Sequence, residues 1–426
     1  MKIAIIGSGI SGLSCAYYLH RQHDVQVFES DQRIGGHTAT VDVAMGGRRF
    51  AVDTGFIVYN DWTYPHFIAL MDELGVSRKP TTMSFGVSDS ASGLEYAGSS
   101  LNSLFAQRRN LLSPRFWKMI WGILRFNKKA QRDLDSGAAS PDLSLGDYLV
   151  REGYSEGFIN HYLIPMGSAI WSADTPVMFN FPLQFFIRFF RNHGLLQIFN
   201  RPQWRVIEGG SREYLAPLCQ GFEHNIRTKA NITGVWRSEG HVDLEVNGKR
   251  ERFDHVVFAC HSDQALALLR DPAAAETEIL GQLPYQDNEV ILHTDVSLLP
   301  RDRRCWSAWN YQLGLDSQRA TVTYNMNMLQ GIDAPETFCV TLNNTAAINP
   351  YLILGRFNYA HPVFTLEGMQ AQERWDEINH RRTWFCGAYW RNGFHEDGVF
   401  SGKRVADALG QLGAQKPPHA TLSSAA

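Results

Sequence analysis

The sequence predicts an α/β protein with more than one domain. Residues 2–6 (KIAII) form a short apolar run that leads directly into a glycine-rich turn, as the first strand of a βαβ unit does. The stretches EVILHTDV, ATVTYNM and TFCVTL, between residues 286 and 374, have the composition of strands. The chain has 426 residues, which is more than one simple core usually holds, so two domains are expected.

The composition is that of an ordinary folded protein. Hydrophobic residues make up 44% of the chain and charged residues 19%, and the net charge of −3 gives no reason to expect nucleic-acid binding. The six cysteines are scattered without a CxxC pair. This pattern predicts neither a metal site nor a disulfide framework, and it favours a reducing, cytoplasmic location.

No membrane-spanning helix is expected. The apolar segment Phe179–Phe190 is interrupted by Pro182 and Arg188 and is shorter than the roughly 18 residues that a span needs. The first strand begins almost at residue 1, which leaves no room in this sequence for a signal or transit peptide.

The N-terminal segment has the pattern of a dinucleotide-binding βαβ unit. KIAII runs into GSGISGL, a helical segment follows, and the second strand, VQVFES, ends at an acid, Glu29. In this pattern Gly7 permits the tight turn, Gly9 lets the backbone approach a pyrophosphate, and Gly12 lets the helix pack close to the strand. The phosphates would lie at the helix N-terminus, and Glu29 would accept hydrogen bonds from a ribose. The alternative is a glycine-rich turn with a purely structural role.

Later segments identify the dinucleotide by resemblance. SDQRIGGHTAT and FAVDTGFIVYN resemble the extension that binds FAD in GR2 flavoproteins of the amine oxidase and phytoene desaturase superfamily. VIEGGSREYLAPL, NITGVWR, HVVFACH and the C-terminal WFCGAYWRNGFHEDGVFSGKRVADAL are similar to other segments of that superfamily, in the same order. In the last of these segments, Gly398, Ser401 and Gly402 would open the final helix. The FAD-binding residues that the pattern and the resemblance imply are Gly7, Ser8, Gly9, Ile10, Ser11, Gly12, Glu29, Ser30, Gly35, Gly36, His37, Thr38, Thr54, Gly55, Phe56, Ile57, Ile232, Gly387, Ala388, Glu396, Asp397 and Gly398.

The resemblance also implies the domain organisation: a Rossmann-type FAD domain of residues 1–75, 205–285 and 375–413, interleaved with a substrate domain. The substrate domain would consist of residues 76–204, mostly helical, and 286–374, mostly a mixed or antiparallel sheet. Residues 414–426 lack an apolar period and are expected to be disordered. Only one GxGxxG is present, so no separate NAD(P)H domain is expected.

Within the superfamily, HPVF and GFHEDG resemble a bacterial subgroup of predicted amine oxidoreductases that is associated with fatty acyl modification. Three positions depart from the superfamily pattern. His37 follows the second glycine pair where arginine is common, and Ala388 replaces an acid near the flavin ribityl chain. No lysine occurs between Lys249 and Lys403, although many amine oxidases place one near the flavin. No cysteine matches a covalent-flavin motif, so non-covalent FAD is expected. Cys386, next to the flavin-closing loop, is interpreted as a small buried residue.

Two aromatic segments bear on the substrate. In FNFPLQFFIRFFRNH, a predicted helix, Phe185, Phe186, Phe189 and Phe190 form i, i+4 pairs that either pack the helical insertion or line an apolar substrate site. Residues 108–132 carry eight basic side chains and no acid around FWKMIWGILRF, a basic amphipathic helix of the kind that lies on anionic membranes. The alternative is a solvated helix with a partly buried stripe.

The predicted function is FAD-dependent oxidation of a long apolar chain, by desaturation or double-bond isomerisation. The alternatives are oxidation of a hydrophobic amine and a non-catalytic role beside a lipid-modifying enzyme. The electron acceptor is left open. Candidate catalytic residues are His395, Tyr389 and Trp390, and Tyr324 and His361 are candidate substrate contacts. Asn310, Tyr311 and Asn325 are further candidates on the insertion sheet. Each of these residues could instead have a structural role.

Overall fold

The computed structural model describes residues 1–314 and 319–414, which pack as two compact units. Unit 1 comprises Met1–Gly36, Leu215–Gly281 and the described residues from Arg374 onward, and unit 2 comprises His37–Tyr214 and the described residues between Gln282 and Glu373. The predicted FAD domain extended to residue 75 and began again at 205, so its limits differ from those of unit 1. The predicted limits come from the family resemblance, whereas the limits of unit 1 come from packing. The predicted FAD domain therefore stays a prediction. The predicted disorder of residues 414–426 falls outside the described residues except at Ala414, where a helix ends.

The structure contains twenty strands within the described residues. In chain order they are β1 (Lys2–Ile6), β2 (Asp24–Phe28), β3 (Thr40–Met45), β4 (Arg48–Asp53), β5 (Tyr59–Asn60), β6 (Arg78–Thr81), β7 (Phe85–Asp89), β8 (Leu94–Ala97), β9 (Trp204–Ile207), β10 (Ile226–Arg227), β11 (Ile232–Arg237), β12 (Val242–Val246), β13 (Lys249–Phe253), β14 (His255–Phe258), β15 (Tyr285–His293), β16 (Trp309–Leu313), β17 (Val322–Asn325), β18 (Cys339–Leu342), β19 (Ile353–Pro362) and β20 (Thr383–Phe385).

The helices vary from single turns to more than five turns. In chain order they are α1 (Ile10–Leu19), α2 (Pro65–Glu73), α3 (Leu101–Leu104), α4 (Pro114–Asp135), α5 (Leu145–Arg151), α6 (Glu156–Phe158), α7 (Ile164–Trp171), α8 (Thr175–Phe179), α9 (Leu183–Asn192), α10 (Leu215–Cys219), α11 (Ser262–Leu268), α12 (Ala274–Gly281), α13 (Met326–Gln330), α14 (Leu366–Glu373), α15 (Trp375–Ile378) and α16 (His395–Ala414).

Unit 1 is built on a five-stranded parallel sheet in the order β10-β2-β1-β14-β20. The predicted strands KIAII, VQVFES and HVVFACH are confirmed as β1, β2 and β14. Residues 3–6 and the whole of β14 are buried, as expected for inner strands that are covered on both faces. A separate antiparallel sheet, β11-β12-β13, holds the predicted strand NITGVWR.

Unit 2 contains a seven-stranded sheet in the order β19-β15-β18-β17-β16-β7-β8, antiparallel except for the pair β16–β7. The three strands predicted between 286 and 374 are confirmed as β15, β17 and β18. The prediction that 76–204 is mostly helical is correct for α3–α9. It missed β7 and β8, which come from this insertion yet extend the sheet of the other insertion. Such pairing joins residues more than 200 positions apart, and no local pattern specifies it.

The helical part of unit 2 confirms both predicted amphipathic helices. The phenylalanine segment is α9, which begins at Leu183 immediately after Pro182. The basic segment is α4, whose N-cap Ser113 accepts a hydrogen bond from the backbone of Phe116. Over the described residues, no helix is both long and apolar enough to cross a membrane.

Candidate functional site

Gly7 and Gly12 have the predicted roles in the turn and in the packing of unit 1. Gly7 has a φ of +110°, and a Cβ there would lie 2.7 Å from the carbonyl oxygen of Ala259. A Cβ on Gly12 would lie 2.0 Å from the oxygen of Gly7, so only glycine lets α1 approach β1 this closely. Gly9 differs, because no atom lies within 4 Å of the position that a Cβ would take there. The open space is therefore at the glycine that the pattern assigns to pyrophosphate.

Gly9 is also the N-cap of α1, and no side chain caps that helix end. The first N–H groups of a helix have no partner within the helix, and together with its dipole they attract anions. The second glycine pair lies against this point. Gly35 donates its N–H to the oxygen of Ser8 at 3.0 Å and pairs with Gly9, and a Cβ on Gly36 would lie 3.2 Å from the Cα of Gly9. The fold thus places two glycine-rich segments around one anion-binding helix end, which fits the phosphates of a dinucleotide.

Glu29 follows β2 and lies beside the same turn. One carboxylate oxygen accepts the N–H and the hydroxyl of Ser8, at 3.0 and 2.5 Å. The other accepts the N–H of Asp31 at 2.9 Å and the hydroxyl of Ser30 at 3.3 Å. These bonds fix the carboxylate at the end of the strand, and its partial exposure leaves it accessible to a ribose. The ribose contact stays a prediction, as does any contact of Ile232, which begins β11 in the antiparallel sheet of unit 1.

The final helix differs from the prediction in its start and in the role of its glycines. α16 begins at His395, so Gly398 lies within its first turns and does not open it. A Cβ on Gly398 would lie 2.6 Å from Cγ2 of Ile10, and one on Gly402 would lie 2.3 Å from the oxygen of Ser11. These glycines, one turn apart, let α16 pack closely on the first turn of α1. Gly398 therefore has a packing role that the sequence prediction did not include.

Ser401 has a role that the sequence analysis missed. Its hydroxyl accepts the N–H of Gly387 at 3.1 Å and so joins α16 to the segment before it. That segment forms a 3-10 turn over Ala388–Trp390, in which Tyr389 and Trp390 are buried with their rings 5.3 Å apart. The glycine-rich sequence predicted the turn, but the hydrogen bond across 14 residues depends on how the helix packs.

The titratable residues at the start of α16 are all buried. Burial lowers the pKa of His395 to about 3, so its imidazole is neutral at physiological pH. Burial raises the pKa of Asp397 to about 6, although its carboxylate accepts the N–H of Phe394 at 3.0 Å and the amide of Asn392 at 3.3 Å. Asp397 thus holds the loop before α16. Its predicted contact with a ribityl chain is untested, as is that of Glu396.

The remaining predicted cofactor residues lie in unit 2, on two segments that pair with each other. Phe56 donates its N–H to the oxygen of His37 at 2.7 Å, and a Cβ on Gly55 would lie 2.1 Å from that same oxygen. The hydroxyls of Thr38 and Thr54 are hydrogen-bonded to the hydroxyls of two tyrosines, Tyr214 and Tyr359 respectively. Ile57 is buried in the main core of the unit. These residues therefore lie near one another in unit 2, and their contact with the cofactor stays a prediction.

Asp53, at the end of β4, is a buried residue that the sequence analysis missed. Its carboxylate accepts the N–H and hydroxyl of Ser211, the hydroxyl of Thr40 at 2.5 Å and the side-chain amide of Gln330 at 2.8 Å. A Cβ on Gly210 would lie 2.5 Å from Cγ2 of Thr40. Asp53 thereby ties the GGSREY segment to the two paired segments of unit 2. The sequence did offer one signal for Asp53, since an acid stands there at the end of a strand and directly before Thr-Gly.

The phenylalanines of α9 form an aromatic cluster with residues outside the helix. The ring centres of Phe186 and Phe190 are 4.0 Å apart, and both rings are buried. These two rings therefore pack the helical insertion, which was the alternative to lining a substrate site. Phe185 stacks on Phe364 at 5.1 Å, and Trp171 contacts Phe189 at 4.6 Å. The indole Nε1 of Trp171 is buried and has no acceptor among the described residues. Substrate contact of any ring of α9 stays a prediction.

The polar candidates on the sheet of unit 2 divide into two groups. Asn310 and Asn325 use their side chains to bond loop and helix backbone, so they have structural roles. Tyr324 lies edge-on to Trp309 with ring centres 5.0 Å apart, and burial raises its pKa. His361 Nδ1 lies 3.0 Å from the amide of Asn288, and its ring is 5.3 Å from that of His37. Tyr311 is buried in the core of the unit.

Among the described residues, no cluster of histidine, cysteine or acidic side chains could hold a metal ion. All six cysteines are free. The arrangement that remains is an uncapped helix end in unit 1, with open space at Gly9 and a fixed carboxylate beside it. These features suit a dinucleotide whose diphosphate is negatively charged and whose ribose carries hydroxyls.

Comparison with known proteins agrees with this site. The family model of flavin-containing amine oxidoreductases matches residues 10–325. No curated protein sequence gives a significant match. Among solved structures, cyclohexylamine oxidase from Brevibacterium oxydans IH-35A is 16% identical with a TM-score of 0.68, and the match covers 97% of this chain and 99% of that one.

The CLA-producing fatty acid isomerase from P. acnes is also 16% identical with a TM-score of 0.68, over 96% of this chain and 98% of that one. A putrescine oxidase bound to putrescine is 15% identical with a TM-score of 0.65, over 96% and 99% of the two chains. At these identities the solved structures establish the fold, and the family model, which covers most of the chain, establishes the family. This protein belongs to the flavin-containing amine oxidoreductases and is an oxidoreductase that uses a flavin.

Proposed function

We propose that this flavin oxidoreductase uses non-covalently bound FAD to act on a long apolar substrate of the fatty acyl type, by desaturation or by double-bond isomerisation. The observation that carries the proposal is the uncharged aromatic cluster around α9, in which Trp171, Phe181, Phe185, Phe189 and Phe364 contact one another. An apolar chain gains free energy from contact with such side chains and requires no charged partner.

The distribution of buried charge supports an uncharged substrate. An alkylammonium group that is removed from water needs a carboxylate or a comparable partner. Among the described residues of unit 2, the buried carboxylates are those of Asp53, Asp89, Asp133 and Asp295, and each already accepts hydrogen bonds from its own surroundings. The chain also has no lysine between Lys249 and Lys403. Both features favour a fatty acyl chain over an amine.

The cysteine environments support non-covalent FAD. A thiol must lose its proton before it can attack a flavin. Burial raises the pKa of Cys219, Cys260, Cys305 and Cys339 to about 12 in each case, and contact with Cys15 raises the pKa of Cys386. These thiols are protonated at neutral pH and are therefore unreactive.

FAD supplies a two-electron acceptor for hydride. The chain would bind its diphosphate at the N-terminus of α1, with Glu29 on the adenosine ribose. Loss of a hydride from one substrate carbon and of a proton from its neighbour creates a double bond. For isomerisation no proton is lost: a hydride would leave an allylic carbon and return to the other end of the resulting allyl cation, so the double bond moves and the substrate keeps its composition. In either case the protein must exclude water from the reacting carbons, which the buried rings of Tyr389 and Trp390 suit.

His395 is the proposed acid–base group, and its pKa restricts the direction of proton transfer. A neutral imidazole can accept a proton from substrate, but with a pKa of about 3 it is a weak base. Because His395→Gln removes this proposed proton acceptor, the variant should slow turnover more than it weakens substrate binding. An unchanged turnover number with raised KM would instead assign His395 a binding role.

Oxidation of a hydrophobic amine is the second candidate, because membership of the amine oxidoreductase family favours it. Anaerobic visible spectroscopy separates the two functions. The purified yellow protein would be mixed with a panel of unsaturated and methylated fatty acids and phospholipids, and separately with hydrophobic amines. Products would be identified by mass spectrometry, and aerobic turnover would be measured as peroxide release.

Bleaching of the flavin by a lipid, with a product that has lost two hydrogen atoms, would support desaturation. A lipid isomer of unchanged mass would support isomerisation. Bleaching by amines alone, with imine-derived products, would refute the fatty acyl proposal in favour of amine oxidation. If no substrate in either panel bleaches the flavin and none is converted to an isomer, the proposal also fails, and a non-catalytic role is favoured.

A further inference from the structure

Helix α4 of unit 2 has one face that is fixed against the unit. Its buried residues include Phe116, Met119, Phe126 and Ala130. At Gly122 a Cβ would lie 2.9 Å from Cβ of Phe158, so the helix packs as closely as glycine allows. This packing fixes which side chains of α4 face outward, and their exposure does not result from a loosely held helix.

The outward face of α4 carries large apolar side chains. Trp117, Trp121 and Leu124 are exposed, and their i, i+4, i+7 spacing places them on one side of the helix. Leu111 and Leu112 are exposed in the 3-10 turn immediately before the helix, and Leu112 is 89% exposed. Two of these side chains are tryptophans, which are enriched where proteins meet the lipid headgroup region.

Exposed basic side chains lie on the same helix as this apolar row. Arg115, Lys118 and Lys128 are exposed, and none forms a salt bridge within the described part of the chain. The other cations of the helix differ, since Arg125 and Lys129 pair with Glu152. Between residues 108 and 132 there is no acid, although the whole chain has a net charge of −3. Unpaired positive charge therefore lies on the helix that carries the apolar row, and Lys128 is on the same side as the row because it is i+4 from Leu124 and i+7 from Trp121.

We propose that this face, defined by Leu111, Leu112, Trp117, Trp121 and Leu124 with Arg115, Lys118 and Lys128, docks on a bilayer that contains anionic phospholipid. Exposed tryptophan and leucine side chains gain free energy on entering the interface, and unpaired cations beside them attract negative headgroups. A protein partner would instead have to supply acids and a matching shape of its own, whereas a bilayer with anionic headgroups supplies both the negative charge and the apolar interior. The inference goes beyond the proposed function, because docking does not depend on which substrate is oxidised.

The test is flotation of the full-length holoenzyme with vesicles of phosphatidylcholine alone and of phosphatidylcholine with an equal amount of phosphatidylglycerol. The wild type should bind the anionic vesicles and should be released as the salt concentration rises. The charge variant Arg115→Gln/Lys118→Gln/Lys128→Gln should bind on the order of a hundredfold more weakly, because each cation near the surface contributes about fivefold. The apolar variant Leu112→Ser/Trp121→Ser/Leu124→Ser should bind at least about tenfold more weakly.

Matched controls change the same residue types at exposed positions elsewhere. Arg49→Gln/Lys249→Gln/Arg301→Gln removes the same charge, and Tyr351→Ser/Leu354→Ser/Leu412→Ser removes exposed apolar side chains. Both should bind vesicles as the wild type does. The proposal is wrong if the wild type floats with neither vesicle, or if the control variants lose as much binding as the variants of α4. Retained flavin absorbance would show that each variant is folded, whatever its substrate.

Discussion

The carboxylate of Asp53 accepts both the backbone N–H and the hydroxyl of Ser211, each at 2.9 Å. The two residues are 158 positions apart, and Asp53 is fully buried. Burial raises the pKa of Asp53 to about 6, while the hydrogen bonds from Thr40 and Ser211 oppose that rise. The side chain is therefore ionised at neutral pH and is stabilised by several donors at once.

Asp53→Asn should lower the free energy of unfolding by about 1–3 kcal/mol at pH 7, because an amide cannot accept all of these hydrogen bonds and leaves a buried donor unsatisfied. The flavin content should fall as well, since Asp53 anchors segments that carry predicted cofactor residues. The matched control is Asp42→Asn, which removes an exposed ion pair to Arg212 and should cost less than about 1 kcal/mol. Thermal unfolding and flavin absorbance measure both effects. Equal losses in the two variants would contradict the role given to Asp53.

Gly9→Ala should impair flavin binding without unfolding the protein. Its added methyl group would meet no protein atom within 4 Å, so the apoprotein should lose less than about 1 kcal/mol. The same methyl group would occupy the space predicted for the diphosphate and should weaken FAD binding by roughly tenfold or more.

Gly12→Ala is the comparison for Gly9→Ala, because its methyl group would lie 2.0 Å from the oxygen of Gly7. This variant should lower the stability of the apoprotein itself. Titration of each apoprotein with FAD, followed by flavin fluorescence, separates the two effects. If Gly9→Ala binds FAD as tightly as the wild type, the diphosphate lies elsewhere.

Gly402→Ala should destabilise unit 1 by about 1–3 kcal/mol, because its methyl group would lie 2.3 Å from the backbone oxygen of Ser11 and would push α16 away from α1. Gly410→Ala lies in the same helix with nothing within 4 Å of the added methyl group. It should be neutral or stabilise the protein by up to about 1 kcal/mol through helix propensity. Thermal unfolding of the two variants tests this contrast, and a stabilising effect at residue 402 would show that the helices are less closely packed than described.

His293 should make unit 2 sensitive to acid. Its Nδ1 accepts the N–H of Asp295 at 3.1 Å, and its Nε2 lies 2.7 Å from the hydroxyl of Thr341. Burial lowers its pKa to about 4 from an unfolded value of 6.5. The unfolded state therefore binds the proton first, and stability is lost as the pH falls from about 6.5 towards 4.

The variant His293→Asn, which keeps an acceptor near Asp295, should lose less stability between pH 7 and pH 5 than the wild type does. Asp53 has the opposite effect over an overlapping range, because its raised pKa contributes stability that is lost as the pH rises through about 6. The pH dependence of the unfolding midpoint in Asp53→Asn and His293→Asn should thus change in opposite directions. If His293→Asn shows the wild-type loss, the acid sensitivity comes from the other buried histidines, His193, His255 and His395.

The sequence identified the parts of the site whose chemistry is local. The spacing of Gly7, Gly9 and Gly12 predicts a turn, an open approach and a close packing contact from one βαβ unit, although Gly7 also lies against Ala259 just after β14. The amphipathic patterns of α4 and α9 likewise depend on neighbouring residues. The strands β7 and β8 could not be placed, because β7 joins the sheet by pairing with the distant β16, and β8 pairs only with β7 in that sheet.

By itself, the sequence determined the α/β class, the dinucleotide turn with Glu29 at the end of its second strand, and the family resemblance. These follow from glycine conformations and apolar periods that act over about 30 residues. Only the tertiary structure decided two hydrogen bonds, from Ser211 to Asp53 and from Gly387 to Ser401. It also decided that Phe186 and Phe190 are buried and that the tryptophans of α4 remain exposed. Each of these depends on which distant surface covers a side chain, and burial of that kind is a property of packing that no local pattern encodes.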